Sequence, residues 1–163
     1  MTTTAQYEPR PGDYAVVKTG GLIGRLIRIG TTSRWNHNFI YLGDDLIIEA
    51  RPIGVKFGKA SKYNILAYNK HEDLTSEQRK DIVDFAIDQV GKSYGYLDIF
   101  ILFLRILGLG LPPSRLWVRL AKRQGYICSE LVAEAYAYAD FTLRNKPDAL
   151  VTPGDLAERL IYQ

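Results

Sequence analysis

Cys128, the single cysteine of the chain, stands in Gln124-Gly125-Tyr126-Ile127-Cys128-Ser129-Glu130-Leu131-Val132, where a glycine-containing loop gives way to a helical pattern. Leu131, Val132, Ala135 and Tyr136 recur on one face at helical spacing. Ser129 and Glu130 fall in the first turn, where small polar and acidic residues are favoured. A thiol at that point faces unpaired backbone N–H groups and the positive end of the helix dipole, and both favour the nucleophilic thiolate. A buried structural cysteine is the plainer alternative, because free cysteines are among the most buried residues. A base with its own orienting partner turns the balance towards chemistry.

His37 is the candidate base. It opens a strand pattern, whereas His71 lies in the charged loop Asn69-Lys70-His71-Glu72-Asp73 and is read as exposed and inert. Glu49 sits on the return strand among Ile47, Ile48 and Ala50, and a carboxylate inside so apolar a run needs a partner. With Gly43 to Asp45 as an odd-numbered loop, Glu49 faces Phe39 and lies diagonal to His37, about 7–8 Å away at the backbone. A two-residue loop puts the two on opposite faces. A carboxylate on one imidazole nitrogen fixes the tautomer and leaves the other nitrogen to take the thiol proton. The expected roles are therefore Cys128 as nucleophile, His37 as base and then acid, and Glu49 as orienter. Backbone N–H groups at the start of the cysteine helix would hold the oxyanion. Tyr126, two residues before the thiol, is either a hydroxyl donor near the reacting centre or simple packing.

The elements that must bring these groups together are readable in outline. Pro11-Gly12-Asp13 is a turn, and Tyr14 to Lys18 is a short strand rich in Val and Tyr. Leu22 to Ile29 suits a short amphipathic helix. Asn36 to Leu42 and Leu46 to Ala50 form the clearest hairpin. Gly54 to Gly58 and Lys62 to Tyr68 are weaker strands, so the sheet should be mainly antiparallel. Thr75 followed by Gln78 is a capping box, and the helix behind it should bury Ile82, Val83, Ala86, Ile87 and Val90 before stopping at Gly91. The cysteine helix should run to about Asp140. Thr152-Pro153-Gly154-Asp155 should start a final helix reaching Ile161.

Between the two main helices lies Tyr96 to Leu111, largely apolar but interrupted by Asp98 and Arg105. It falls short of the roughly 20 apolar residues of a spanning helix. It is read as a buried helix, or as a surface that touches lipid or lines a greasy groove, giving a possible peripheral membrane contact through Leu97 to Leu111. Pro112-Pro113 ends it, and Ser114 to Arg123 reads as a basic helix.

Composition narrows the class. At 163 residues, 47% hydrophobic and 24% charged, the chain suits one globular domain over residues 1–163. One cysteine rules out a disulfide framework and a thiolate-rich zinc site, and two histidines leave little for another metal, so neither metal nor cofactor is expected. The net charge of +3 is mild, and no nucleic-acid motif accompanies it. The stretch Met1 to Pro9 lacks the basic start and apolar run of a signal peptide. The expectation is synthesis in the cytoplasm, with action outside only if the protein is delivered or released, as a phage-borne one would be.

Pro11-Gly12-Asp13 before a strand, Arg34-Trp35-Asn36-His37 with a strand after it, Ile47-Ile48-Glu49-Ala50, and Tyr126-Ile127-Cys128-Ser129-Glu130-Leu131-Val132, in that order, resemble the NlpC-type superfamily of papain-like cysteine hydrolases. The order, with the histidine and acidic strands before the cysteine helix, is similar to its circularly permuted YiiX/YebB-like branch. The resemblance runs from about Pro11 to Ala139. It implies an α+β, circularly permuted papain-like fold with a small antiparallel sheet or barrel packed on the nucleophile helix. It also implies a Cys128-His37-Glu49 triad with the upstream tyrosine at Tyr126.

The superfamily cleaves amide bonds in peptidoglycan stem peptides, and other branches act on acyl groups of lipids and proteins. The leading expectation is accordingly a cysteine amidase or peptidase working through a thioester on a small peptide. A lipid-directed thioesterase, phospholipase or acyltransferase is the second. It resembles the chain less, because the lecithin:retinol acyltransferase branch typically carries a second histidine as orienter and an Asn-Cys-Glu-His-Phe motif. A catalytically idle binding module on the same fold is the third.

Overall fold

A computed structural model of the chain describes residues 7–21, 24–25, 28–29, 32–64, 66–69, 73–93, 126–143 and 151–157. Among them five strands form one antiparallel sheet: β1 (Tyr14–Val17), β2 (His37–Gly43), β3 (Leu46–Arg51), β4 (Gly54–Lys59) and β5 (Leu66–Tyr68), in the order β4-β3-β2-β1-β5. The helices are α1 (Ser76–Asp88), α2 (Cys128–Tyr138) and α3 (Pro153–Ala157), and a 3₁₀ turn at Ala60–Lys62 follows β4. Leu97 to Leu111, the basic stretch Ser114 to Arg123, His71 and the end of the final helix lie outside the described residues. Among the described residues no helix is long and apolar enough to cross a membrane.

Side chains alternate along a strand, so each strand serves two cores. Tyr14 and Val16 of β1, Ile40 of β2, Ile48 and Ala50 of β3 and Val55 of β4 face the helices. They pack against Leu131, Val132, Ala135 and Tyr136 of α2 and Ile82 and Ala86 of α1. The opposite face gathers Ala15, Val17, Phe39, Ile47 and Ala60 under Tyr41, Tyr63, Leu66 and Tyr68. There Phe39 stacks on Tyr63 at 5.7 Å and meets Tyr68 edge-on at 5.9 Å.

The capping box at α1 forms as expected, Thr75 accepting from the Gln78 N–H and Gln78 from the Thr75 N–H. The buried face of α1 is narrower than its periodicity suggests. Ile82 and Ala86 are buried, Val83 is half-buried, and Ile87 is 43% exposed. The strand expected over Lys62 to Tyr68 begins only at Leu66, because the chain first tightens into the 3₁₀ turn. Gly24–Arg25 and Arg28–Ile29 are helical, in line with the amphipathic pattern there.

Two anchors join the ends of the chain to this frame. Asp13 is buried and accepts from the Arg10 N–H (2.7 Å), the Tyr7 hydroxyl (2.6 Å) and Arg79 of α1 (2.9 Å). Gly12 is needed beside it, since its φ is +88° and a Cβ would sit 3.1 Å from the Arg79 carbonyl. At the other end the Tyr14 hydroxyl donates to the Leu156 carbonyl (3.0 Å), and the Ser129 hydroxyl to the Val151 carbonyl (2.5 Å).

Candidate active site

The β2–β3 hairpin decides whether His37 and Glu49 meet. Its turn has only two residues, Asp44 and Asp45, both at positive φ (48° and 66°), as a hairpin turn of the primed kind requires. Taken alone that turn would send the two side chains to opposite faces. A β-bulge prevents it: Gly43 pairs with Leu46, but Tyr41 pairs with Ile47, leaving Leu42 as an extra residue. The parity expected from an odd loop is thereby restored through a different device. In the register of Ile40 opposite Ile48, Glu49 comes level with Phe39 and on the same face as His37. Nε2 of His37 lies 2.8 Å from Oε2 of Glu49.

Asn36 sets the start of β2. Its side chain accepts from the Thr19 N–H (2.8 Å) and donates to the Thr19 hydroxyl (2.8 Å), and its own N–H donates to the Val17 carbonyl (3.2 Å). The loop between β1 and β2 is thus closed at its root, one residue before His37. Trp35 is buried in the helix-side core, with the Arg34 guanidinium 4.6 Å above its ring.

Cys128 is the first residue of α2 and is buried. Ile127 precedes it as the N-cap and makes no side-chain cap hydrogen bond. A helix start capped in this way leaves its first N–H groups without intrahelical or side-chain acceptors from the cap. The Cys128 thiol lies near enough to His37 to raise its pKa. Since Nε2 is held by Glu49, Nδ1 is the nitrogen left for sulfur.

Burial disfavours the imidazolium. The nearby Cys128, through a negative charge on its sulfur, and then the hydrogen bond and charge of Glu49 outweigh it and raise the His37 pKa from 6.5 to about 9. Glu49 is 1% exposed, which opposes its ionisation. Hydrogen bonds from His37, Lys62 and Tyr63 and the charge of His37 overcome that and lower its pKa from 4.5 to about 2. Lys62 donates to Oε1, and the Tyr63 hydroxyl donates to Oε2. Burial, then the hydrogen bond to Glu49, pushes the Tyr63 phenol well above its usual range, so it stays a donor.

Three of the four residues expected from sequence are brought together: Cys128, His37 and Glu49. Tyr126 is placed differently from a donor at the reacting centre. Its hydroxyl lies 3.1 Å from Oε1 of Gln89 and 3.0 Å from Oε2 of Glu134. Glu134 is six residues beyond Cys128, about 9 Å along the helix. Lys62 and Tyr63 carry no signal of a part in the site in the sequence, whereas Asn36 does, as the residue before the histidine in Arg34-Trp35-Asn36-His37. Among the described residues no group of three or more His, Cys, Asp or Glu side chains is arranged to hold a metal ion.

A cysteine-bearing helix packed on an antiparallel sheet, with a histidine and a glutamate on adjacent strands that precede it, is a permuted papain-like arrangement. The fold comparison agrees. The crystal structure of the metalloprotein YiiX from Escherichia coli O157:H7 matches with a TM-score of 0.58 at 17% identity, over 82% of this chain and 67% of YiiX. The probable lipoprotein peptidase YaeF of Escherichia coli strain K12 is 30% identical over 170 residues. That match takes in 90% of this chain, which spans 62% of the length of YaeF. No protein-family model matches the sequence. The chain is thus similar to a probable lipoprotein peptidase and shares the permuted papain-like fold of YiiX, which supports the resemblance read from the sequence.

Proposed function

We propose that the protein is a cysteine hydrolase that cleaves a small peptide amide through a thioester on Cys128, in a peptidoglycan stem peptide or a similar small peptide. The observation that carries this reading is the 2.8 Å contact of His37 Nε2 with buried Glu49, which leaves the other ring nitrogen to the thiol at the start of α2. The similarity to a protein named a probable peptidase supports the substrate class. The reading takes residues 1–163 as one hydrolase domain.

In this mechanism the Cys128 sulfur, deprotonated by His37, attacks the amide carbonyl. The oxyanion is met by backbone N–H groups at the start of α2. The His37 imidazolium, held in one tautomer by Glu49, gives its proton to the leaving amine. Water then enters, His37 takes its proton, and the thioester is hydrolysed. Tyr126 is assigned a supporting part: its hydroxyl on Glu134 and its ring under the Lys92 ammonium fix the segment that leads into α2.

The test pairs thiol labelling with product analysis. Iodoacetamide should label wild-type Cys128 rapidly well below the ~8.5 pKa of a free cysteine, and His37→Ala should slow it. Incubation with stem peptides, followed by acid quench and mass spectrometry, should then show an acyl group on Cys128 and a released amine. Labelling that rises only above neutral pH and ignores His37→Ala would sink the triad and leave a binding module. Acylation of Cys128 by phospholipids but not by peptides would move the substrate to lipid.

A further inference from the structure

We infer that Lys62 and Tyr63 are positioning residues that clamp the charge and rotamer of Glu49, making the orienter of His37 a fully held carboxylate. The inference rests on the triad reading above and adds two members to it.

A buried carboxylate with a single partner leaves oxygens unsatisfied, at a cost of several kcal/mol. Here the oxygens are shared out: Oε2 takes His37 and Tyr63, and Oε1 takes Lys62. The carboxylate therefore cannot rotate away from the imidazole without breaking a charged contact on its far side.

The segment that supplies both donors is itself anchored. The 3₁₀ turn is tied to the β2–β3 hairpin through Asp45, whose carbonyl accepts from the Ala60 N–H (2.9 Å). The Asp45 carboxylate accepts from the Ser61 N–H and hydroxyl, each at 2.7 Å. The Tyr63 ring is held flat on Phe39 and lies 5.9 Å from the His37 ring. Gly58 leaves the room: a Cβ there would sit 2.9 Å from Glu49 Oε1 and 3.0 Å from Lys62 Nζ.

The charge balance gives the pair a measurable consequence. With Lys62 present, the Lys62–Glu49–His37–Cys128 set is neutral both as thiol with imidazole and as thiolate with imidazolium. Without Lys62 it carries one negative charge in both forms, and the imidazolium proton is held more tightly. Among the described residues, the other groups facing the cluster are Arg51 at the end of β3 and Lys56, directly across from Glu49 on β4. Both are exposed, so solvent and salt screen them.

The test follows the His37 ring by nitrogen-15 NMR titration and, in parallel, the pH profile of Cys128 alkylation. Lys62→Met should move the release of the His37 proton upward by roughly one pH unit, and Lys62→Arg should restore it. Tyr63→Phe keeps the ring on Phe39 and should slow labelling several-fold at fixed pH without changing the circular dichroism. If Lys62→Met and Tyr63→Phe both leave titration and labelling at wild-type values while His37→Ala still slows labelling, the clamp is refuted and the triad stands. A shift in Lys62→Met that Lys62→Arg does not reverse also refutes it, because packing and not charge would be the cause. If His37→Ala leaves wild-type labelling unchanged, the triad itself fails and the clamp with it.

Discussion

Replacing Glu49 by Gln keeps the shape of the side chain and removes its charge, so the effect should depend on pH in a way that packing cannot imitate. The carboxyl titrates at about 2 in the folded protein and at 4.5 when unperturbed. A depressed folded value contributes stability that is present above 4.5 and is lost as the pH falls through 2. A difference of two to three pH units at about 1.4 kcal/mol each gives about 3 kcal/mol at pH 7. By pH 3 the same linkage leaves only about half of that. At 1% exposure Glu49 needs no discount for solvent screening. The assay is urea unfolding of wild type and Glu49→Gln, followed by tryptophan fluorescence at several pH values from 7 to 3. The variant should be less stable by about 3 kcal/mol at neutral pH, with the gap narrowing by about half at pH 3. A gap that is the same at both ends, or below about 1 kcal/mol at pH 7, would refute the assignment of Glu49 as a carboxylate held ionised by His37, Lys62 and Tyr63.

Gly58→Ala should destabilise the fold by about 1–3 kcal/mol and slow Cys128 labelling, since its Cβ would enter the Glu49–Lys62 contact; urea titration and iodoacetamide kinetics read the two effects. Asn36→Ala should cost about 1–3 kcal/mol by releasing the buried hydrogen bonds at the root of the β1–β2 loop, measured by thermal unfolding. Tyr126→Phe should leave the turnover of the preferred peptide within a few-fold of wild type, because its hydroxyl points to Gln89 and Glu134; a loss of about a hundredfold would return that hydroxyl to the reacting centre.

Where the sequence was legible, the reason was periodicity. Leu131, Val132, Ala135 and Tyr136 sit on one face of α2 and are all buried. The isolated Glu49 among Ile47, Ile48 and Ala50 announced a buried charge with a partner. The hairpin reached the expected facing by an unexpected route. Nothing in Tyr41-Leu42-Gly43 separates a longer loop from a two-residue turn with a bulge, because both consume the same number of residues. Lys62 and Tyr63 were invisible for a different reason. Their convergence on Glu49 depends on a turn that the local pattern disguises as the start of a strand, and a third-exposed lysine has no periodic signature. Ile87 shows the converse limit: it keeps helical spacing but is 43% exposed.

The order of strands and helix along the chain also dictates an order of assembly. His37 and Glu49 are twelve residues apart and meet within one hairpin, a short loop to close. The thiol comes some 90 residues after the histidine, and closing that longer loop costs about 2 kcal/mol more in chain entropy. During synthesis His37 and Glu49 can pair while Cys128 is still unmade. On the proposed mechanism, chemical competence therefore arrives only when α2 docks on the sheet, because the thiol is the last of the three groups to be made.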